Sequence, residues 1–170
     1  YQRLLDDYLV VVSPPGSPLE TRFDYFKLYD SAGRAERMVS VRAALLAVDP
    51  RELKRDERRA WAINTYNFMV IELATTNLIS RHVSAELKAK GIFGIPHRSV
   101  RHMKMNGRGF LEVLVAKIGG RAYNLDQFER AFVFDDPGPS EAGAKRKANA
   151  KSLDPRAHFA LVCGAIGCPP

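Results

Sequence analysis

No run of about eighteen apolar residues occurs anywhere in the chain, so no segment of it is built to cross a bilayer as a helix. Cysteine is scarce, with only Cys163 and Cys168 among 170 residues. So few thiols exclude a disulfide-dense scaffold, yet they leave the redox compartment open, because a bond between them would go with export and free thiols with the cytosol. Aromatic residues make up 9% and are not interleaved with the basic ones, so a base-stacking platform is missing. The excess of 26 Lys and Arg over 19 Asp and Glu, a net charge of +7, is scattered. It reads as a basic solvated surface, and nucleic acid is not an expected partner. The chain opens on Tyr1 with no charged stretch leading into an apolar run, so it reads as a mature or trimmed segment of a longer product, compatible with prior removal of an export signal.

What is present is enough for one ordinary core: 46% of the residues are hydrophobic, and a single domain over residues 1–170 is expected. Leu4, Leu5, Tyr8, Leu9 and Val12 recur at helical spacing, so residues 1–12 are predicted as a helix that the Ser13-Pro14-Pro15-Gly16 stretch stops. Residues 19–29 mix their aromatic spacings and fit a short strand or turn entering a helix. A second helix is predicted over 34–48, with Met38, Val41, Leu45 and Val48 on one stripe, and Asp49-Pro50 ends it. Asp56 and Glu57 open the most strongly patterned stretch, residues 56–79, whose apolar stripe of Trp61, Phe68, Ile71 and Leu78 predicts a long buried helix.

On that helix Asn64 and Asn67 fall one turn apart, beside Tyr66. Asparagine is poor in helix interiors and costly when buried without partners. The two amides therefore either tie down neighbouring backbone or line a polar pocket, as orienting groups or oxyanion donors. Further on, Val113 to Ile118, the turn dipeptide Gly119-Gly120 and Arg121-Ala122-Tyr123 read as a β-hairpin. Asn124 with Gln127 three residues later predicts a capped helix start carrying Phe128, Glu129, Phe132 and Val133. The loop containing Lys145-Arg146-Lys147 reads as solvated. His82, His97 and His102 do not have the spacing of a metal-binding helix and read mainly as loop or surface residues, any of which could face a site.

The C-terminal stretch Asp154-Pro155-Arg156-Ala157-His158-Phe159-Ala160-Leu161-Val162-Cys163-Gly164 gathers both thiols and a histidine around a Gly-rich turn. His158 to Val162 reads as a buried strand of the hairpin's sheet. The expected fold is therefore α+β, with an N-terminal helical part over about 1–80 packed on a small, mainly antiparallel sheet in a β-rich part over about 95–170. Together, Val48-Asp49-Pro50, Trp61-x-x-Asn64-x-Tyr66-Asn67, Gly119-Gly120-Arg121 with Leu125-Asp126-x-Phe128-Glu129, and the ending from Asp154 through Cys163 and Cys168 to Pro170 resemble the domain of unknown function family 547 over residues 34–170. The resemblance implies a domain type without an assigned reaction, and a periplasmic or secreted location, since bacterial members are often exported. Two departures stand out. The family helix usually opens on Ser or Thr, where this chain has Lys54-Arg55, and family chains continue past the Cys-Pro-Pro ending, so this chain resembles a member lacking its C-terminal part.

Three chemistries remain open for the cysteines. In the first, Cys163 is the nucleophile of a hydrolase or transferase acting on a small-molecule or peptide-like substrate, with His158 as base, Glu129 as orienter or acid, and Asn64, Tyr66 and Asn67 binding or orienting. Strand parity works against direct pairing here, because five residues along an ideal strand put His158 and Cys163 on opposite faces. In the second, a Cys163–Cys168 disulfide closes a short turn in a non-catalytic binding or scaffold module. The third is a metal site from both cysteines and His158. A fourth ligand is not visible, and neither a metal nor another cofactor is expected.

Overall fold

The computed structural model describes residues 1–17, 21–76, 104–105, 107–134 and 155–162. Both cysteines, His82, His97, His102, the basic triplet at 145–147 and the last residues of the predicted long helix lie outside the described residues. The fold is α+β: helices dominate the N-terminal part, and short antiparallel strand pairs join them.

Helix α1, Gln2–Tyr8, is shorter than the apolar spacing predicts, because strand β1, Leu9–Val11, takes over its expected last turn. The reason is the run Val10-Val11-Val12, whose branched Cβ atoms favour a strand over a helix. β1 pairs antiparallel with β2, Thr21–Phe23, in the register Val10 opposite Arg22. Asp24 then caps α2, Tyr25–Asp30, by accepting the Lys27 amide at 2.8 Å. The aromatic segment is thus a strand and then a helix, as its mixed spacing allowed.

Helix α3, Arg34–Leu46, follows with Met38 buried. The Asp49 carboxylate accepts the Arg51 amide at 2.9 Å and pairs with its guanidinium. Helix α4, Arg55–Ala74, is the long buried one. Lys54 occupies its cap position and has no acceptor to offer, so the start is held from the other side, with the Glu57 carboxylate accepting the Lys54 amide at 3.1 Å.

α4 is buried on two sides. Phe68 and Ile71 pack with Leu4, Tyr8, Leu28 and Met38 of the first three helices. Trp61, Tyr66, Met69 and Val70 face a larger cluster that includes Phe110, Val115, Phe128, Val133, Ala157 and Leu161. The hairpin of β5, Leu114–Ile118, and β6, Arg121–Asn124, turns on Gly119 and Gly120 at φ +56° and +84°, the left-handed pair that a two-residue hairpin turn needs. Ahead of it, β3, Lys104–Met105, pairs with β4, Arg108–Gly109, and a 3₁₀ turn over Phe110–Glu112 places Phe110 in the core.

The predicted cap is present. Asn124 accepts the Gln127 amide at 2.8 Å and Gln127 accepts the Asn124 amide at 3.1 Å, opening α5, Leu125–Phe128, which widens into a π turn over Glu129–Val133. Trp61 packs against the rings of Phe128 and Phe132, tilted to the first at 5.8 Å and edge-on to the second at 5.5 Å, and its indole nitrogen donates to the Leu45 carbonyl at 2.8 Å.

The stretch around His158 departs from expectation. Pro155–Phe159 is a 3₁₀ helix, not a strand of the hairpin's sheet, and the described strands form three separate pairs. Pro155 fixes the φ of a first helical turn. Ala157 and Leu161 are buried while His158, Phe159 and Ala160 are exposed, a period near four that a strand cannot produce.

Two substitutions test the packing. Phe128 is fully enclosed, so Phe128→Ala should lower unfolding free energy by about 3–5 kcal/mol in urea titrations. The Thr65 hydroxyl is buried with no hydrogen-bond partner among the described residues. Thr65→Val keeps its shape and removes that orphan, so it should stabilise by about 1 kcal/mol or more, and a loss of stability would refute the orphan's cost.

Candidate functional site

The site begins on one turn of α4. Asn67 is half-buried there, and its carboxamide spans to the C-terminal stretch: Nδ2 donates to the Ala160 carbonyl at 2.8 Å, and Oδ1 accepts the Val162 amide at 2.9 Å. An amide carries donor and acceptor side by side, so it can read an extended backbone as a neighbouring strand would. Of the two readings open for the asparagines, Asn67 ties down backbone. Asn64, one turn earlier, is exposed.

Tyr66, the neighbour of Asn67, points into the larger core cluster and is almost wholly buried. Its hydroxyl hydrogen-bonds the carboxylate of Glu129, which the π turn after α5 holds over the same part of α4. Burial pushes the Glu129 carboxyl up from its ordinary range. His158 opposes that shift by its charge, Asp126 adds to it, and the Tyr66 hydrogen bond and the charge of Arg130 also oppose it. Asp126 is itself paired with Arg130 at 3.2 Å, one turn on.

His158 lies within electrostatic reach of Glu129, and its ring lies against Phe134, with centroids 4.5 Å apart and planes tilted by 39°. The imidazole edge stays exposed while its carboxylate partner is half-buried. Of the residues singled out from the sequence, the fold brings Tyr66, Glu129, His158 and Asn67 together and leaves Asn64 apart. Cys163 directly follows the pinned Val162 in the chain, but its position, like that of Cys168, lies outside the described residues. Phe134 had no signal in the sequence, because an aromatic that closes a core and one that backs an imidazole look the same in a linear pattern.

Elsewhere a cavity of about 240 Å³ opens between α4 and the hairpin, over Met69, Leu73 and Leu114. Arg42 of α3 stands at its edge and donates to both the Glu72 carboxylate and the Val115 carbonyl. Burial raises the Glu72 carboxyl, and Arg42 pulls against it. With its guanidinium committed on both sides, Arg42 works as a tie between α3, α4 and β5. Among the described residues no three His, Cys, Asp or Glu side chains are grouped to hold a metal ion, and no helix is long and apolar enough to cross a membrane.

These features define an α+β domain in which a carboxylate hydrogen-bonded by a phenol lies within electrostatic reach of an imidazole, beside a pinned C-terminal segment. The family described as "Protein of unknown function, DUF547" matches residues 50–170, and the chain belongs to it. Neither curated proteins nor solved structures give a match.

The electrostatics of Glu129 can be tested directly. A carboxyl whose folded pKa is raised contributes stability that is fully present below its unfolded pKa and is lost as the pH rises through the folded one. Replacing it by a neutral isostere removes that loss, so Glu129→Gln should gain stability relative to the parent as pH climbs through and above the ordinary carboxylate range. Tyr66→Phe deletes a hydrogen bond to the ionised form and should push the Glu129 titration, followed by carboxyl ¹³C shifts, still higher. A downward move would contradict the Tyr66–Glu129 bond.

Proposed function

We propose that the domain is a cysteine-dependent hydrolase or acyltransferase, with Cys163 as nucleophile, His158 as base and Glu129 as the carboxylate that orients the imidazole. The observation that carries this reading is that Glu129, hydrogen-bonded by the Tyr66 hydroxyl, and His158 come from separate elements to lie within electrostatic reach of each other. A thiol is a weak nucleophile until a base raises its thiolate fraction, and an imidazole serves best when a carboxylate fixes its tautomer and stabilises its charged form. The 3₁₀ turn removes the parity objection, since alternation of faces applies to a strand and His158 is not on one. Val162, the residue before Cys163 in the chain, is pinned on Asn67.

In the acylation step the thiolate sulfur bonds to the carbonyl carbon of an ester, thioester or peptide-like amide, after His158 has taken the thiol proton. The bond from that carbon to the leaving group breaks, and His158 returns the proton to the departing oxygen, sulfur or nitrogen. Water releases a carboxylic acid in a hydrolase, and an alcohol or amine takes the acyl group in a transferase. Phe134 packs against one side of the imidazole, its plane tilted by 39° from it.

p-Nitrophenyl acetate serves as a generic acyl donor. A burst of p-nitrophenol approaching one equivalent of protein is expected, abolished in Cys163→Ala and slowed about 10²–10⁴-fold in His158→Ala. Unchanged release from Cys163→Ala would sink the nucleophile. Intact mass before and after reduction and alkylation decides the other reading: air-exposed protein two hydrogens lighter than its reduced form would point to a Cys163–Cys168 staple in a binding or scaffold module.

A further inference from the structure

We infer that Asn67 is the positioning residue of this site, a latch on α4 that fixes the chain between His158 and Cys163 relative to Glu129. The inference rests on the thiol reading above and adds to it the residue that sets the geometry. Three observations converge on it. Both functional atoms of the Asn67 carboxamide are committed to backbone, Nδ2 to the Ala160 carbonyl and Oδ1 to the Val162 amide. These two backbone groups flank Leu161, whose side chain is buried in the larger core cluster, so the segment is gripped on one side by hydrogen bonds and on the other by packing. Finally, the residue beside the latch, Tyr66, is the one that holds Glu129. A single turn of a rigid, doubly buried helix therefore references the carboxylate and the chain that carries the imidazole on one side of the latch and leads to the thiol on the other.

This arrangement assigns Asn67 a role different from an oxyanion donor. Its carbonyl oxygen is spent on Val162, and it acts on the reaction through the backbone it holds. The segment from Ala160 to Val162 has no strand partner among the described residues, so the side-chain amide supplies the pairing that a neighbouring strand would otherwise give. Without it the Val162 amide loses its acceptor, and the chain from His158 to Val162 is no longer tied to α4 by this side chain. A site displaced by even about 1 Å loses on the order of a hundredfold in rate, which is the scale on which a latch of this kind matters.

The test uses the whole chain carrying Cys168→Ser, so that Cys163 is the only thiol, with iodoacetamide as probe and mass spectrometry following its uptake across pH. In the parent the alkylation midpoint should lie below the value of about 8.5 for an unassisted thiol. In Asn67→Ala it should return toward that value, slowing alkylation near neutral pH about tenfold. Hydrogen exchange at the Val162 amide should speed up about tenfold in the same variant, while the amides of central α4 keep their protection. Asn67→Asp retains the size and the acceptor for Val162 and replaces the donor with an oxygen facing the Ala160 carbonyl. It should show the same shift in thiol profile and serves if the alanine variant does not fold. An activated parent thiol whose profile is unmoved in both variants overturns the role of Asn67 alone, as does unchanged exchange at Val162. A parent thiol with an ordinary midpoint overturns the nucleophile reading first, and the positioning role with it.

Discussion

The structure depends on the burial of α4 from two directions. Its Phe68 and Ile71 close a cluster with the three preceding helices, while Trp61, Tyr66 and Met69 close a second with the hairpin, α5 and the C-terminal 3₁₀ turn. Neither cluster can form without the helix, and the helix has little solvent-facing surface near its centre. Arg42 strengthens the same junction by tying α3 to both α4 and the first strand of the hairpin. Burial raises the Glu72 carboxyl and Arg42 pulls against that, while the same guanidinium also donates to the Val115 carbonyl.

A helix held on both sides is also a good reference frame for chemistry, because its side chains have few alternative positions. The polar groups of the site exploit this. Tyr66 and Asn67 are successive residues, one turned toward the core and the other toward its margin, and they reach different targets: the first a carboxylate on the π turn, the second the backbone of the C-terminal stretch. The π turn itself contributes, since widening the helix after Phe128 shifts Glu129 relative to a regular turn, in the way such bulges often accompany functional residues. His158 then completes the group from a short helix whose start is set by Pro155.

Much of this was legible in the order of residues alone. The long helix, its acidic first turn, the Gly119-Gly120 hairpin and the Asn124–Gln127 cap all rest on local rules, in which a few neighbouring residues decide the outcome, and each appears where the pattern puts it. The failures were also local in form. Residues 1–12 carry a helical apolar spacing, but three successive valines override it once Thr21–Phe23 offers a pairing edge. The stretch from His158 to Val162 looks like a strand because it is apolar, and a short apolar run does not reveal its period until it has something to pack against.

What the sequence by itself determined is therefore the inventory: which segments become helices and hairpin, the membership of the family, and the small set of polar residues that a buried domain would not keep without partners. Which of those residues meet was decided by the tertiary structure. Asn64 and Asn67 are equivalent on paper, one turn apart on the same helix, and only the packing of Leu161 and Ala157 against the core brings a backbone within reach of one and leaves the other in solvent. Glu129 and His158 likewise come from distant segments, and no spacing rule connects them. Their meeting depends on where α5 and the C-terminal turn settle against α4, a choice made by the whole apolar surface at once.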